Sequence, residues 1–220
     1  MPKVTVKNNE ISYSFNGVIE DNNGPKIVLI HGAGGQKIDW PIAWCAGKDI
    51  TKSMGLTQSN CGVIRLFNAG LDNYSIYAVD LPGHGKSDGE SRSSIDEYST
   101  DITDFLEAMD LENVCLVGHS MGAAIALNAS LRHNWRICSV VVIGAASKMI
   151  VNDAILEGLQ STFEATVDNI VKYSWHKKTG AIADSQQMAS FFREKAKQRI
   201  LNCGSKTVYK DFLACSKFDL

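Results

Sequence analysis

The sequence predicts an α/β protein, a mostly parallel sheet flanked by helices, with about six strands present and an all-helical C-terminal end. Three observations carry that expectation. Ile27-Val28-Leu29-Ile30 is a fully apolar run of strand length, the pattern of a strand covered on both faces inside a parallel sheet. Strand-like runs then alternate with a helical period as far as Ile143. Between one such strand and one such helix stands Gly118-His119-Ser120-Met121-Gly122, a Gly-x-Ser-x-Gly pentapeptide at a strand-to-helix junction.

The elements follow in order. Val4-Thr5-Val6 and Ile11-Ser12-Tyr13-Ser14-Phe15 alternate as half-buried strands, with Asn8-Asn9 as the turn between them. Asp21-Asn22-Asn23-Gly24-Pro25 reads as a loop into the apolar strand. Gln36 to Leu71 shows no clear period. Ser75-Ile76-Tyr77-Ala78-Val79 is the next strand. From Ser94 to Met109, the residues Ile95, Tyr98, Ile102, Phe105, Leu106 and Met109 keep helical spacing. Val114-Cys115-Leu116-Val117 is a strand, Ala123-Ala124-Ile125-Ala126-Leu127 lies in a helix, and Ile137 to Ile143 is the sixth strand. The alternation implies right-handed crossovers. Beyond Asp153 only helices are expected, over Ala154 to Trp175, Ser185 to Leu201 and Thr207 to Cys215, with breaks at Gly180 and Gly204.

Composition excludes several classes. The chain of 220 residues fits one domain with a modest insertion. A hydrophobic content of 45%, a charged content of 21% and a net charge of −2 are those of an ordinary globular protein. No basic stripe marks a nucleic-acid partner, and no apolar run reaches membrane-spanning length. The N-terminal segment alternates and has no signal-peptide core, so a cytoplasmic location is expected. Six cysteines (Cys45, Cys61, Cys115, Cys138, Cys203 and Cys215) lack metal-type spacing. They are expected as reduced thiols, with Cys115 and Cys138 filling core positions in strands. No metal and no cofactor are expected.

The pentapeptide carries the chemistry. A sharp turn from strand to helix strains the serine and crowds the chain two residues to either side, where Gly118 and Gly122 carry no side chain. The turn sets Ser120 at a helix N-terminus, whose free N–H groups favour developing negative charge. A second motif, His31-Gly32-Ala33-Gly34-Gly35, follows the apolar strand. Acyl transfer passes through an anionic tetrahedral intermediate, and two fixed backbone amides stabilise it. The amides of Met121 and Ala33 are the candidates, with His31 bracing the loop. A dinucleotide fingerprint would need glycine where Lys37 stands, and no Lys-Ser/Thr pair forms a P-loop. The third motif, Asp80-Leu81-Pro82-Gly83-His84-Gly85-Lys86-Ser87-Asp88, reads as a compact strand-to-helix connection. His84 is weighed as part of that turn rather than as a base. His119 is expected to point away from Ser120 as a packing group.

With these three motifs in order and in matching strand contexts, the chain resembles the α/β-hydrolase fold family of esterase-, lipase- and peptidase-like serine hydrolases, from about Val4 to Ala146. The segment Tyr209 to Leu220 is similar to the end of the lid in some members. The resemblance implies a core over residues 1–150, a helical cap or lid over 151–220, and a small-molecule acyl substrate, with Ser120 as nucleophile and Ala33 and Met121 as oxyanion donors. His31, Gly32, Gly118, His119 and Gly122 form the supporting motif. Amide, thioester, lactone and C–C bond cleavage are adjacent chemistries. Phe163, Trp175, Phe191, Phe192 and Phe212 are read as lid packing in preference to an acyl pocket.

The chain departs from the family pattern twice. The interval from His31 to Asp80 is long, with the excess between Trp40 and Leu71. The family's acid and histidine follow the serine in that order, yet after Ser120 only His133 and His176 remain, neither behind a late strand. The triad acid and histidine and the final core strands and helices are therefore expected to be absent, and these residues alone to be nearly inactive. Ile137 to Ile143 would then be an open, apolar edge that favours self-association. The alternative function is a non-catalytic α/β-hydrolase-like protein that binds a ligand or partner.

Overall fold

The structure, a computed structural model, describes residues 2–16, 24, 26–40, 74–132, 135–174 and 186–220, the side chains of 186–189 excepted. Residues 41–71, most of the loop at 21–25, His133, Trp175, His176 and Gly180 lie outside the described residues. Six strands form one sheet: β1 (Lys3–Val6), β2 (Asn9–Asn16), β3 (Lys26–Ile30), β4 (Ser75–Val79), β5 (Val114–His119) and β6 (Ile137–Ile143). Their spatial order is β1-β2-β4-β3-β5-β6. β1 pairs with β2, and β2 with β4, antiparallel; β4, β3, β5 and β6 are mutually parallel. This is the mostly parallel sheet flanked by helices that the sequence predicts.

The α-helices among the described residues are α1 (Ile95–Ala108), α2 (Met121–Leu131), α3 (Asp153–Ser161), α4 (Phe163–Ser174), α5 (Gln186–Cys203) and α6 (Ser205–Ser216), and a short 3-10 turn covers Lys37–Asp39. α1 starts at a serine N-cap. The Ser94 side chain accepts from the Glu97 N–H, and Glu97 accepts from the Ser93 N–H and the Ser94 hydroxyl. Its stripe of Ile95, Tyr98, Ile102, Phe105 and Leu106 is buried. α2 is short, small and apolar almost all round, which suits a helix enclosed by the sheet and by α1.

Strand alternation decides the two faces of the sheet. Val28 and Ile30, Val79, Val114 and Leu116 join α1 and α2 in the main core, and Ala214, Cys215 and Phe218 from the C-terminal end join the same cluster. Leu29, Ile76 and Ala78 face the other way, with Trp40. The β5–β6 register shifts between Val114 and Cys115, so that Val114 opposes Ile137 while Cys115 opposes Ser139. The extra residue is Cys138. It is exposed, against the expectation of a core thiol, as are its paired neighbours Ser139 and Val141 to Ile143, because β6 is an edge strand with little packed over it. Cys115 is half-buried.

A second correction concerns the expected helix over 154–175, which is two helices broken at Thr162. There φ is −138° and ψ 56°, outside helical values. The Thr162 N–H still bonds to the Gly158 carbonyl at 2.8 Å, closing the end of α3. The chain then re-enters α4, with Thr166 folded back against Gly158.

β3 sits between β4 and β5. The chain leaves β3 towards one side of the sheet and leaves β5 towards the other, so their carboxyl ends flank a topological switch point, where open α/β sheets place their sites. The residues just past those two ends are His31 to Gly35 and Ser120.

Candidate active site

A single residue, Ser120, carries the turn from β5 into α2. Its backbone stands at φ 54° and ψ −121°, a combination L-residues rarely occupy and one that costs about 1–3 kcal/mol. The surroundings enforce it. The Ser120 N–H donates to the Ile143 carbonyl at 2.8 Å, while the Ser120 carbonyl accepts from Ala123 at 2.9 Å and Ala124 at 3.2 Å. The flanking glycines permit the approach: a Cβ on Gly118 would lie 2.1 Å from the Gly122 oxygen, and a Cβ on Gly122 would lie 2.2 Å from the Ile30 oxygen. Side chains at either position would push β5, α2 and β3 apart.

The loop after β3 lies against this turn, since a Cβ on Gly32 would meet the Ser120 Cβ at 3.2 Å. A hydrogen bond from the Gly35 N–H to the Gly32 carbonyl, at 3.0 Å, closes a tight turn with Ala33 and Gly34 at its centre. Gly34 takes φ 63°, as the third residue of a type II turn requires. The closing bond of such a turn does not use the N–H of its second residue, here Ala33. Met121 is the first residue of α2, where helix N–H groups have no intrahelical acceptor. The two candidate donors thus belong to segments in contact with Ser120.

His31 is buried and bridges two loops. Its Nδ1 donates to the Gly32 carbonyl at 2.8 Å, and its Nε2 accepts from the Leu81 N–H at 3.1 Å. Both contacts suit a neutral ring. Burial, then the nearby His84 charge, hold its pKa down at about 4. The His119 ring lies beside Gly32 on one side and Gly144 on the other. Its pKa is lowered by partial burial.

Behind this layer two carboxylates organise the loops. Asp80, buried at the end of β4, accepts from the Lys37 N–H at 2.7 Å and the Lys86 N–H at 2.9 Å, and pairs with the buried Lys37 ammonium. That ammonium also donates to the Ser12 hydroxyl at 2.8 Å. The second is Asp211, on α6 and fully buried. One of its oxygens accepts from the Tyr98 hydroxyl at 2.5 Å; the other accepts from His84 Nε2 and from the Gly34 N–H, each at 2.8 Å. His84 Nδ1 faces the Pro82 carbonyl at 3.0 Å, so both ring nitrogens face acceptors and the ring is an imidazolium. Burial alone would lower the His84 pKa, but the Asp211 carboxylate holds it well above the usual value. Arg199 on α5 adds a bridge at 2.5 Å to Asp39, just beyond the turn.

Asp211 lies in the Tyr209 to Leu220 segment that resembles the end of a lid, but it belongs to none of the three motifs that carry the chemistry. Its helix carries a weaker signal: Val208, Asp211, Ala214 and Cys215 share the buried face, and a lone carboxylate on an apolar stripe implies a buried partner. Among the described residues, no cluster of three or more His, Cys, Asp or Glu could hold a metal ion, and no helix is long and apolar enough to cross a membrane.

The geometry finds counterparts among known proteins. The chain is similar to the dihydrolipoyllysine-residue acetyltransferase component of an acetoin cleaving system from Pseudomonas putida, at 31% identity over 56% of this chain and 27% of that protein. It is similar to a putative esterase/lipase of Mycoplasma pneumoniae at 28% identity, over 71% of this chain and 55% of the relative. The chain therefore spans only about a quarter to a half of the curated relatives it matches. The enol-lactonase of Burkholderia xenovorans superposes with a TM-score of 0.75 at 17% identity, over 100% of this chain and 75% of that one. The model of the alpha/beta hydrolase fold family matches residues 25–216, from just before β3 to the end of α6, and the chain belongs to that family.

Proposed function

We propose that the protein is a serine hydrolase acting on a carboxylic ester or a related small-molecule acyl substrate. Ser120 is the nucleophile, and the Ala33 and Met121 amides form the oxyanion hole. The observation that carries this reading is the strained Ser120 backbone, held between two glycines that nothing larger could replace. Strain of this kind clusters at functional sites, and the family relationship supports the chemistry.

In the reaction, the Ser120 oxygen adds to the acyl carbon and the carbonyl oxygen becomes an anion facing the two amides. Taking the hydroxyl proton and returning it to the leaving alcohol is the role that the family resemblance gives to a histidine following the acid, and water then releases the acid from the acyl-enzyme. His31 and His84 have both ring nitrogens engaged, so neither takes that proton. Helices α3 to α6 act as the lid over the 1–150 core. Four free thiols among the described residues suit the cytoplasm.

A fluorophosphonate probe tests the reading, because phosphonylation of the raised hydroxyl at the oxyanion site leaves a stable adduct without requiring turnover, so even the slow reaction expected without a triad histidine accumulates. The full chain is expected to carry one adduct, mapped by mass spectrometry to Ser120, and Ser120→Ala to carry none. A folded wild type that stays unlabelled overturns the proposal and leaves the non-catalytic ligand- or partner-binding alternative.

A further inference from the structure

We propose that Asp211, on the last helix of the chain, is a positioning residue that sets the oxyanion turn through the Gly34 N–H. Its role in the reaction rests on the serine-hydrolase reading. The contact joins the only acceptor that the described hydrogen bonds give Gly34 N–H to the centre of the 32–35 turn. Ala33 and Gly34 share a peptide plane, so an acceptor fixed at Gly34 N–H fixes the orientation of the plane on the carboxyl side of Ala33. The hydrogen bond from Gly35 to Gly32 holds the other end of the turn. Ile200 and Val208 close over the same glycine, each 3.3 Å from where its Cβ would be. The turn is therefore gripped by α5 and α6, not by β3 alone.

Asp211 suits this task chemically. It is fully buried and takes three donors, from Gly34, His84 and Tyr98, which come from the oxyanion loop, the 80–88 loop and α1. A carboxylate with three donors is fixed in position, and charge-assisted bonds to backbone N–H are among the strong ones. The His84 imidazolium balances its charge. A neutral residue could hold the helix in place by packing alone, whereas a carboxylate aimed at a main-chain amide of the turn does more than pack. Small displacements of oxyanion donors carry large rate penalties.

The test follows the saturable reaction of a fluorophosphonate with the full chain, separating the maximal labelling rate from the half-saturating concentration. Asp211→Leu is expected to lower the maximal rate roughly tenfold to a hundredfold, with half-saturation within about twofold of wild type. Asp211→Asn keeps an oxygen acceptor for Gly34 and is expected to recover most of that loss. Phe218→Leu weakens the same end of the chain without touching the turn, and its rate per folded molecule is expected to stay within about twofold of wild type. Equal losses in Asp211→Leu and Phe218→Leu would reduce Asp211 to a structural role and overturn the inference.

A second readout needs no reaction. In amide NMR of the wild type, Gly34 is expected to be shifted downfield and protected from exchange like the core, with Gly34 and Ala33 both displaced in Asp211→Asn. A Gly34 amide that exchanges freely overturns the inference even if Asp211→Leu fails to fold. An unlabelled wild type with a protected Gly34 amide defeats the serine-hydrolase reading and leaves the positioning contact standing.

Discussion

At the scale of single residues, two histidines packed 4.9 Å apart between ring centres are held in opposite charge states. His31 is neutral with its pKa near 4, so below about pH 6.5 the unfolded chain binds a proton that the folded chain refuses. Its contribution to stability therefore declines as pH falls from about 6.5 to 4, by up to about 3 kcal/mol. His84 keeps its proton in the folded state, so its contribution is complete below about pH 6.5 and declines as pH rises through its raised value. Denaturant titrations between pH 4 and 8 are expected to show an acid limb that flattens in His31→Gln; an unchanged limb would exclude His31 as its source. The sequence made the small-residue requirements legible, because Gly118, Gly122 and Ser120 are fixed by steric rules within five positions. It left Asp211 obscure, because the partners of a buried carboxylate come from distant segments that one-dimensional spacing does not join.

Among the elements, alternation in β1 and β2 and apolar runs in the later strands located every strand of the sheet, and β4 and β6 have the limits the pattern predicts. Period alone missed two local departures. Cys138, an apolar-looking position, is exposed because β6 lies at the sheet edge with little packed over it, and a strand's place in the sheet is not written in its composition. The break at Thr162 lies in a run whose helical period is continuous. The packing of α3 on α4 explains Gly158: a Cβ there would stand 2.3 Å from Thr166 Oγ1 and 3.3 Å from its Cγ2. Gly158→Ala is expected to lower stability by about 1–3 kcal/mol through overpacking, despite alanine's better helix propensity. A calorimetric melt that rises instead would show that α3 and α4 separate freely.

On the scale of the whole molecule, the sheet ends in the β1–β2 hairpin on one side and in β6 on the other. β6 pairs with β5 alone among the described strands, and Val141, Val142 and Ile143 are 45%, 41% and 42% exposed. Such an edge is a template for another strand, and we expect the 220-residue chain to self-associate through it. Analytical ultracentrifugation is expected to show concentration-dependent dimers or larger species, reduced by Val141→Lys; a monomer at high concentration excludes the edge as a contact. The amide of Gly34 meets its carboxylate 177 positions later in the chain. At roughly 5–20 residues per second on the ribosome, that partner arrives about 9–35 s afterwards. The emerging polypeptide can shape its bent serine well before the neighbouring turn is fastened, so a nascent chain stalled short of α6 would carry the hydroxyl without its settled companion.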